Sequence, residues 1–198
     1  TFYLFYLWMF LLGAVGMATT GIGREFPTSL GADAVTAAFV IGFVNIGSGL
    51  GRLIGGTLLD RIGRAPFMVG TACLSIAGAL IMLAAQLTGS IAVQVAGCLV
   101  TGLAWGAVIV TMAFVVRKVW GQANFAENLA VVNSYGIFAA LVGSIGSGVL
   151  VQAVGSLATV LVVMACFGVV GLVDALVLNA HRSKVARLKA ATAASGAE

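Results

Sequence analysis

Charge is what this sequence has least of: 10 basic and 6 acidic residues among 198, or 8%. A soluble domain carries roughly 25% charged residues, so a water-soluble fold of this size could not cover its surface. Proline is nearly absent, with only Pro27 and Pro66, so long helices run without their usual breaker. The single histidine, His181, has no carboxylate or thiol at ligand spacing, which excludes a metal centre built on it. The three cysteines, Cys73, Cys98 and Cys166, lie in apolar runs without C-x-x-C spacing. They read as small buried hydrophobes rather than a disulfide framework. There is no Gly-x-x-x-x-Gly-Lys-Ser/Thr string, so the chain carries no nucleotide-driven motor. The opening lacks the basic stretch and short apolar region of a signal peptide. It starts at Thr1 rather than Met, which leads us to expect a fragment or a processed chain.

What is abundant is apolar and small. Hydrophobic residues make up 61%, the mean hydropathy is +1.15, and Gly occurs 27 times. Glycine is thus about twice its ordinary ~7% share, as suits close helix packing in lipid. The strict alternation of a porin strand is missing. Six apolar runs are each long enough to cross a bilayer, which takes about 20 residues as a helix. They cover about residues 2–22, 35–59, 66–86, 91–116, 128–152 and 157–180. The expected fold class is therefore all-α and integral to the membrane, with six transmembrane helices, followed by a basic tail, 181–198, partly disordered.

The basic residues fall on one side of these spans. Arg61, Arg64, Arg117, Lys118, Arg182, Lys184, Arg187 and Lys189 share a side with Arg52, and only Arg24 lies opposite. By the positive-inside rule that side is cytoplasmic and holds both termini. The net charge of +4 is then a topology signal that also meets anionic headgroups, not a nucleic-acid footprint. The expected location is the plasma membrane, or the inner membrane of a bacterium.

The most specific string is GRLIGGTLLDRIGRAPF, Gly51 to Phe67. Gly47, Gly51 and Gly55 recur every four residues and make a smooth stripe for another helix. Gly56 extends that stripe, Asp60 ends the helix beside two arginines, Gly63 permits a tight turn, and Pro66 suits the next first turn. The string resembles the cytoplasmic-loop signature of the major facilitator superfamily, G-x-x-x-D-R-x-G-R, on Gly56, Asp60, Arg61, Gly63 and Arg64. The resemblance implies a twelve-helix transporter of two six-helix halves, each of inverted three-helix repeats. It also implies that these five residues latch the halves together on the cytoplasmic side, alongside the plainer reading of a loop anchored by its charge. The opening TFYLFYLWMFLLGAVGM resembles the seventh helix of the oxalate:formate antiporter and monocarboxylate transporter-like branch. WGQANFAENLAVVNSYGI, Trp120 to Ile137, resembles its passage from the tenth to the eleventh helix. Together they imply the C-terminal half, with an N-terminal six-helix half as partner.

The superfamily resemblance directs helices seven, eight, ten and eleven to a central cavity. The substrate-cavity candidates are Asn45, Ser48, Thr101 and Trp105 near mid-depth, with Asn133 and Tyr135 toward the cytoplasmic third of the eleventh helix. The plainer alternative is that Asn, Ser and Thr only glue helices together. Unlike several anion exchangers of that branch, this chain has no basic residue in mid-membrane on the eighth or eleventh helix. Asp174 is the sole acid well inside a span, a candidate proton site or a peripheral carboxylate that snorkels or pairs with a base. GSIGSG, Gly143 to Gly148, is superficially like a serine protease motif. It has no general base within the bilayer and reads as helix packing.

The expected function is a secondary active transporter half that moves a small solute, such as an organic anion of the monocarboxylate type, by alternating access. No enzyme activity, cofactor or metal is expected. The alternative is a complete six-span protein acting as a homodimeric channel or scaffold.

Overall fold

The computed structural model describes the backbone of residues 2–195 and the side chains of residues 2–181. Among the described residues nine α-helices follow in chain order: α1 (Phe2–Gly21), α2 (Glu25–Ser29), α3 (Ala34–Ile62), α4 (Arg64–Thr88), α5 (Ile91–Trp120), α6 (Phe125–Asn133), α7 (Tyr135–Ala140), α8 (Gly146–Val154) and α9 (Leu157–Ser195). A single π turn, Leu141–Ile145, joins α7 to α8. Among the described residues there is no strand. Of those residues, six stretches are long and apolar enough to cross a bilayer: α1, α3, α4, α5, the α6–α8 run and α9 as far as His181. Helix is the solution lipid enforces, because only intrachain bonds satisfy the backbone there. The chain is an all-helical protein with six long apolar helices. The expected tail disorder concerns residues whose side chains lie outside those described.

Two helix ends differ from the sequence reading. The second span runs through Asp60 and Arg61 to Ile62, and the fourth through Arg117 and Lys118 to Trp120. Cations are welcome at a helix C-terminus, where the dipole is negative, so these charges do not stop the helix. Glycine does: Gly63 (φ 78°) and Gly121 (φ 81°) take the positive-φ conformation that other residues avoid. Asp60 therefore sits in the last turn of α3 rather than at its end. The loop after α1 also contains the short helix α2, whose Phe26 is fully buried.

The fifth span departs furthest from a simple rod. Its helix is interrupted at Ser134 and again by the π turn. Ser134 Oγ donates to the Val131 carbonyl at 2.7 Å and lies 2.9 Å from the Tyr6 hydroxyl, tying the interruption to α1. The π turn sits where Gly143 presses against the Ala14 backbone, so the extra residue is accommodated at a close helix crossing.

Helix α5 is central, packing on α3 along one side and α4 along another, while α9 closes against α4 and α1. The glycine stripe explains the first of these contacts. A Cβ on Gly47 or Gly51 would run into the backbone of Leu99 or Leu103, and one on Gly102 or Gly106 into that of Val44 or Ser48. Two small-residue ridges thus interlock backbone to backbone. Among the described residues the core forms three clusters, one around Phe5, Trp8, Met68, Met112 and Leu178, a second around Val15, Phe26, Val44, Met82 and Leu161, and a small third of Leu59, Phe67 and Ala107. The outward faces of α3 and α6–α8 are apolar and exposed, including Ile46, Leu50 and Leu53 on α3 and Ile137, Phe138 and Ile145 on the fifth span.

Candidate substrate-binding face

Three of the six candidates selected from sequence converge. Trp105 of α5, Asn133 of α6 and Tyr135 of α7 line one cavity of about 340 Å³, together with Met17 of α1 and Met112 of α5. Two glycines of α1 seat the rings. A Cβ on Gly13 would meet Tyr135 Cε2 at 2.6 Å, and one on Gly16 would meet Trp105 Cγ at 2.6 Å. Tyr135 is buried, Trp105 half-buried and Asn133 exposed at the mouth.

Asn133 and Tyr135 are two residues apart, which on a regular helix separates them by about 160°. Around Ser134 the backbone bonds become i to i+3, from Ser134 N to Val131 O (3.4 Å) and from Ile137 N to Ser134 O (3.1 Å). Three residues per turn narrow the separation to about 120°, and both side chains reach the cavity. The sequence reading missed Tyr6, Gly13, Gly16 and Ser134, which hold this face in shape. The three-residue spacing of the two glycines, matching two large aromatics elsewhere, was the available signal.

The other three candidates lie elsewhere. Asn45 is exposed on the outward side of α3. Ser48 is buried in the α3–α5 seam, where its Oγ accepts from Arg52 Nη2 at 3.5 Å. Thr101 faces α4, its Oγ1 3.7 Å from Met82 Sδ and packed against Gly78. Ser48 and Thr101 thus spend their polarity inside the bundle, Ser48 within α3 and Thr101 against α4.

The loop motif is dispersed over one end of the bundle. Gly56 and Asp60 line a cavity of about 210 Å³ between α3 and α5, which Arg117 shares. Arg117 lies over the Phe125 ring at 5.8 Å and Lys118 over that of Phe114 at 4.7 Å, so these cations rest on aromatic faces. Arg61 is exposed. Next to Arg64, the Asn179 amide donates to the Ala65 carbonyl at 3.1 Å and ties α9 to the start of α4.

Asp174 is buried in α9, and its Oδ2 has no hydrogen-bond partner among the described residues. One turn away, a Cβ on Gly171 would meet Leu12 Cδ2 at 3.1 Å, so this part of α9 packs on α1. A carboxylate that snorkels to the surface is not what the burial describes. Of the cysteines only Cys98 is buried. Cys73 and Cys166 lie exposed on the bundle exterior, a correction to the reading of all three as core. In lipid an apolar run does not reveal which of its faces is inside. Among the described residues no three of His, Cys, Asp and Glu cluster as metal ligands.

Six apolar spans among the described residues, three of which wall a partly polar, aromatic-lined cavity, define a polytopic membrane bundle. The chain belongs to the Major Facilitator Superfamily, whose family model matches residues 1–196. No curated protein matches it significantly. At the level of the family it is a membrane transporter, and that family is one of transporters rather than enzymes.

Proposed function

We propose that the chain is the C-terminal half of a secondary active transporter that moves a small solute by alternating access against an N-terminal six-helix half. The observation that carries this reading is the cavity formed by Trp105, Asn133 and Tyr135. It offers an amide and an aromatic wall on helices that leave wide apolar faces for a partner. Resemblance to the oxalate:formate and monocarboxylate branch supports an organic anion as solute. This cavity contributes no charged side chain, so neutralisation of a carboxylate falls to the partner half. Asp174 is the candidate site for a coupling proton. The excess of basic residues on one side supports cytoplasmic termini, a cytoplasmic tail over 181–198, and residence in the plasma or bacterial inner membrane.

The test is uptake of a panel of small monocarboxylates and dicarboxylates into proteoliposomes carrying the full-length protein. Trp105→Ala and Asn133→Ala each lower uptake of the accepted solute by about tenfold, roughly 1.4 kcal/mol of barrier, with expression unchanged. Uptake that is indifferent to both substitutions removes the cavity from the mechanism. If the coding region yields only these six spans and the purified protein is a dimer, the homodimeric reading replaces the half-transporter.

A further inference from the structure

Helices α3 and α4 scarcely touch each other although both pack on α5. Between them lies a groove of about 320 Å³ whose floor is Leu103 and Ala107 of α5. Gly51, Ile54, Leu58 and Ile62 form one wall, and Pro66, Phe67, Gly70 and Leu74 are among the residues of the other. From Gly51 to Ile62 the wall rises about 16 Å, close to half of a ~30 Å hydrocarbon core, which is the depth of one leaflet. Gly70 opens onto free space, for a Cβ there would meet nothing within 4 Å.

The groove changes character at one end. Arg61 stands three residues beyond Leu58 and seven beyond Ile54, on the edge of the same face, and is exposed. Arg64 opens α4 across the mouth. The nearby carboxylate is turned away, since Asp60 lines the separate α3–α5 cavity with Arg117. An apolar trough one leaflet deep that ends in a cationic side chain matches the two parts of an anionic phospholipid, its acyl chain and its phosphate.

We propose that this groove is a binding site for an anionic phospholipid of the leaflet on the basic side. One acyl chain lies along Ile54, Leu58 and Leu74, and the headgroup phosphate meets Arg61. The trough supplies close packing for the chain, and the guanidinium supplies preference for an anionic over a zwitterionic headgroup. This site is separate from the Trp105 cavity and stands whether or not that cavity binds solute.

The experiment equilibrates the full chain in detergent with equal amounts of phosphatidylglycerol and phosphatidylcholine of identical acyl chains. Retained lipid per protein is then counted by mass spectrometry. The wild type retains the anionic lipid about fivefold over the zwitterionic one. Arg61→Gln removes that preference but still retains both lipids. Gly70→Leu, which fills the groove from a position with open space, loses both while its melting temperature stays at the wild-type value. Millimolar inorganic phosphate leaves the bound lipid in place. Equal retention of the two lipids by the wild type overturns the proposal, as does an unchanged preference in Arg61→Gln. Full retention by Gly70→Leu places the lipid elsewhere, and displacement by inorganic phosphate reduces the site to one for a free anion. Should Gly70→Leu fail to fold, the Arg61→Gln comparison alone decides.

Discussion

Single atoms decide the seam between α3 and α5. At Gly51 there is no space for a methyl group before the Leu103 carbonyl, whereas Gly70 looks onto nothing. Gly51→Val should therefore destabilise the protein by about 1–3 kcal/mol through overpacking. Gly70→Ala, at an exposed helical position, should be neutral or slightly stabilising. Thermal unfolding in detergent compares them directly, and equal melting temperatures would remove the seam from the stability account. At the start of α3, Asp33 accepts from Thr36 N at 3.3 Å and caps the helix. The Thr36 bonds hold its carboxyl below the ordinary 3.8 of an aspartate. A lowered value means the cap contributes at neutral pH and its contribution fades as pH falls through that lowered value. Asp33→Ala should thus lower the melting temperature modestly at pH 7, and the gap from wild type should close in acid.

The fifth span shows what an element does beyond its hydropathy. Read as a sequence it is one apolar run, yet it is built of three α-helical pieces around a tight turn and a π turn. Both irregularities sit against α1, where Gly13 and Gly16 receive aromatic rings and Gly143 meets Ala14. The bond between the Tyr6 hydroxyl and Ser134 Oγ, at 2.9 Å, anchors the first of them. Tyr6→Phe keeps the ring and removes that anchor, at a cost of about 0.5–1.5 kcal/mol for one hydrogen bond. The informative readout is fluorescence of Trp105, measured with Trp8 and Trp120 replaced by Phe, because the loosened turn lets Asn133 and Tyr135 leave the cavity. An unchanged spectrum and melting temperature would show that the turn holds its shape without α1.

At the scale of the whole molecule, the bundle is closed on some sides and open on others. Helix α1 is the most enclosed of the spans and the α6–α8 run the least. In water such an apolar exterior would be a defect. In lipid it carries no penalty and leaves surfaces for lipid or a partner half. Most of the basic residues gather at one end, where Asp60 and Arg117 line one cavity and Arg61 is on the outside. If that end is the latch between halves, Asp60→Asn should slow transport by about tenfold, ~1.4 kcal/mol, while expression and helix content stay intact. Transport at the wild-type rate in that variant would reduce the motif to a topology anchor.

The number of spans, their helical nature and the family were legible in the chain itself. Hydrocarbon leaves the backbone one option, and charges that fall mostly in loops and at helix ends, Asp174 and Arg52 aside, mark where it stops. The string from Gly56 to Arg64 needed no coordinates to point to the superfamily. Which neighbour each residue meets was decided only by the tertiary structure. Thr101 and Trp105 are one turn apart on α5, yet one is taken up by Met82 and the other opens onto the cavity. Cys73 and Cys98 both lie in apolar runs, yet only Cys98 is inside. In water, burial follows polarity, so a sequence marks its own interior. In lipid the inside and outside of a bundle are equally apolar, and only the packing of small residues against backbones determines which face turns inward.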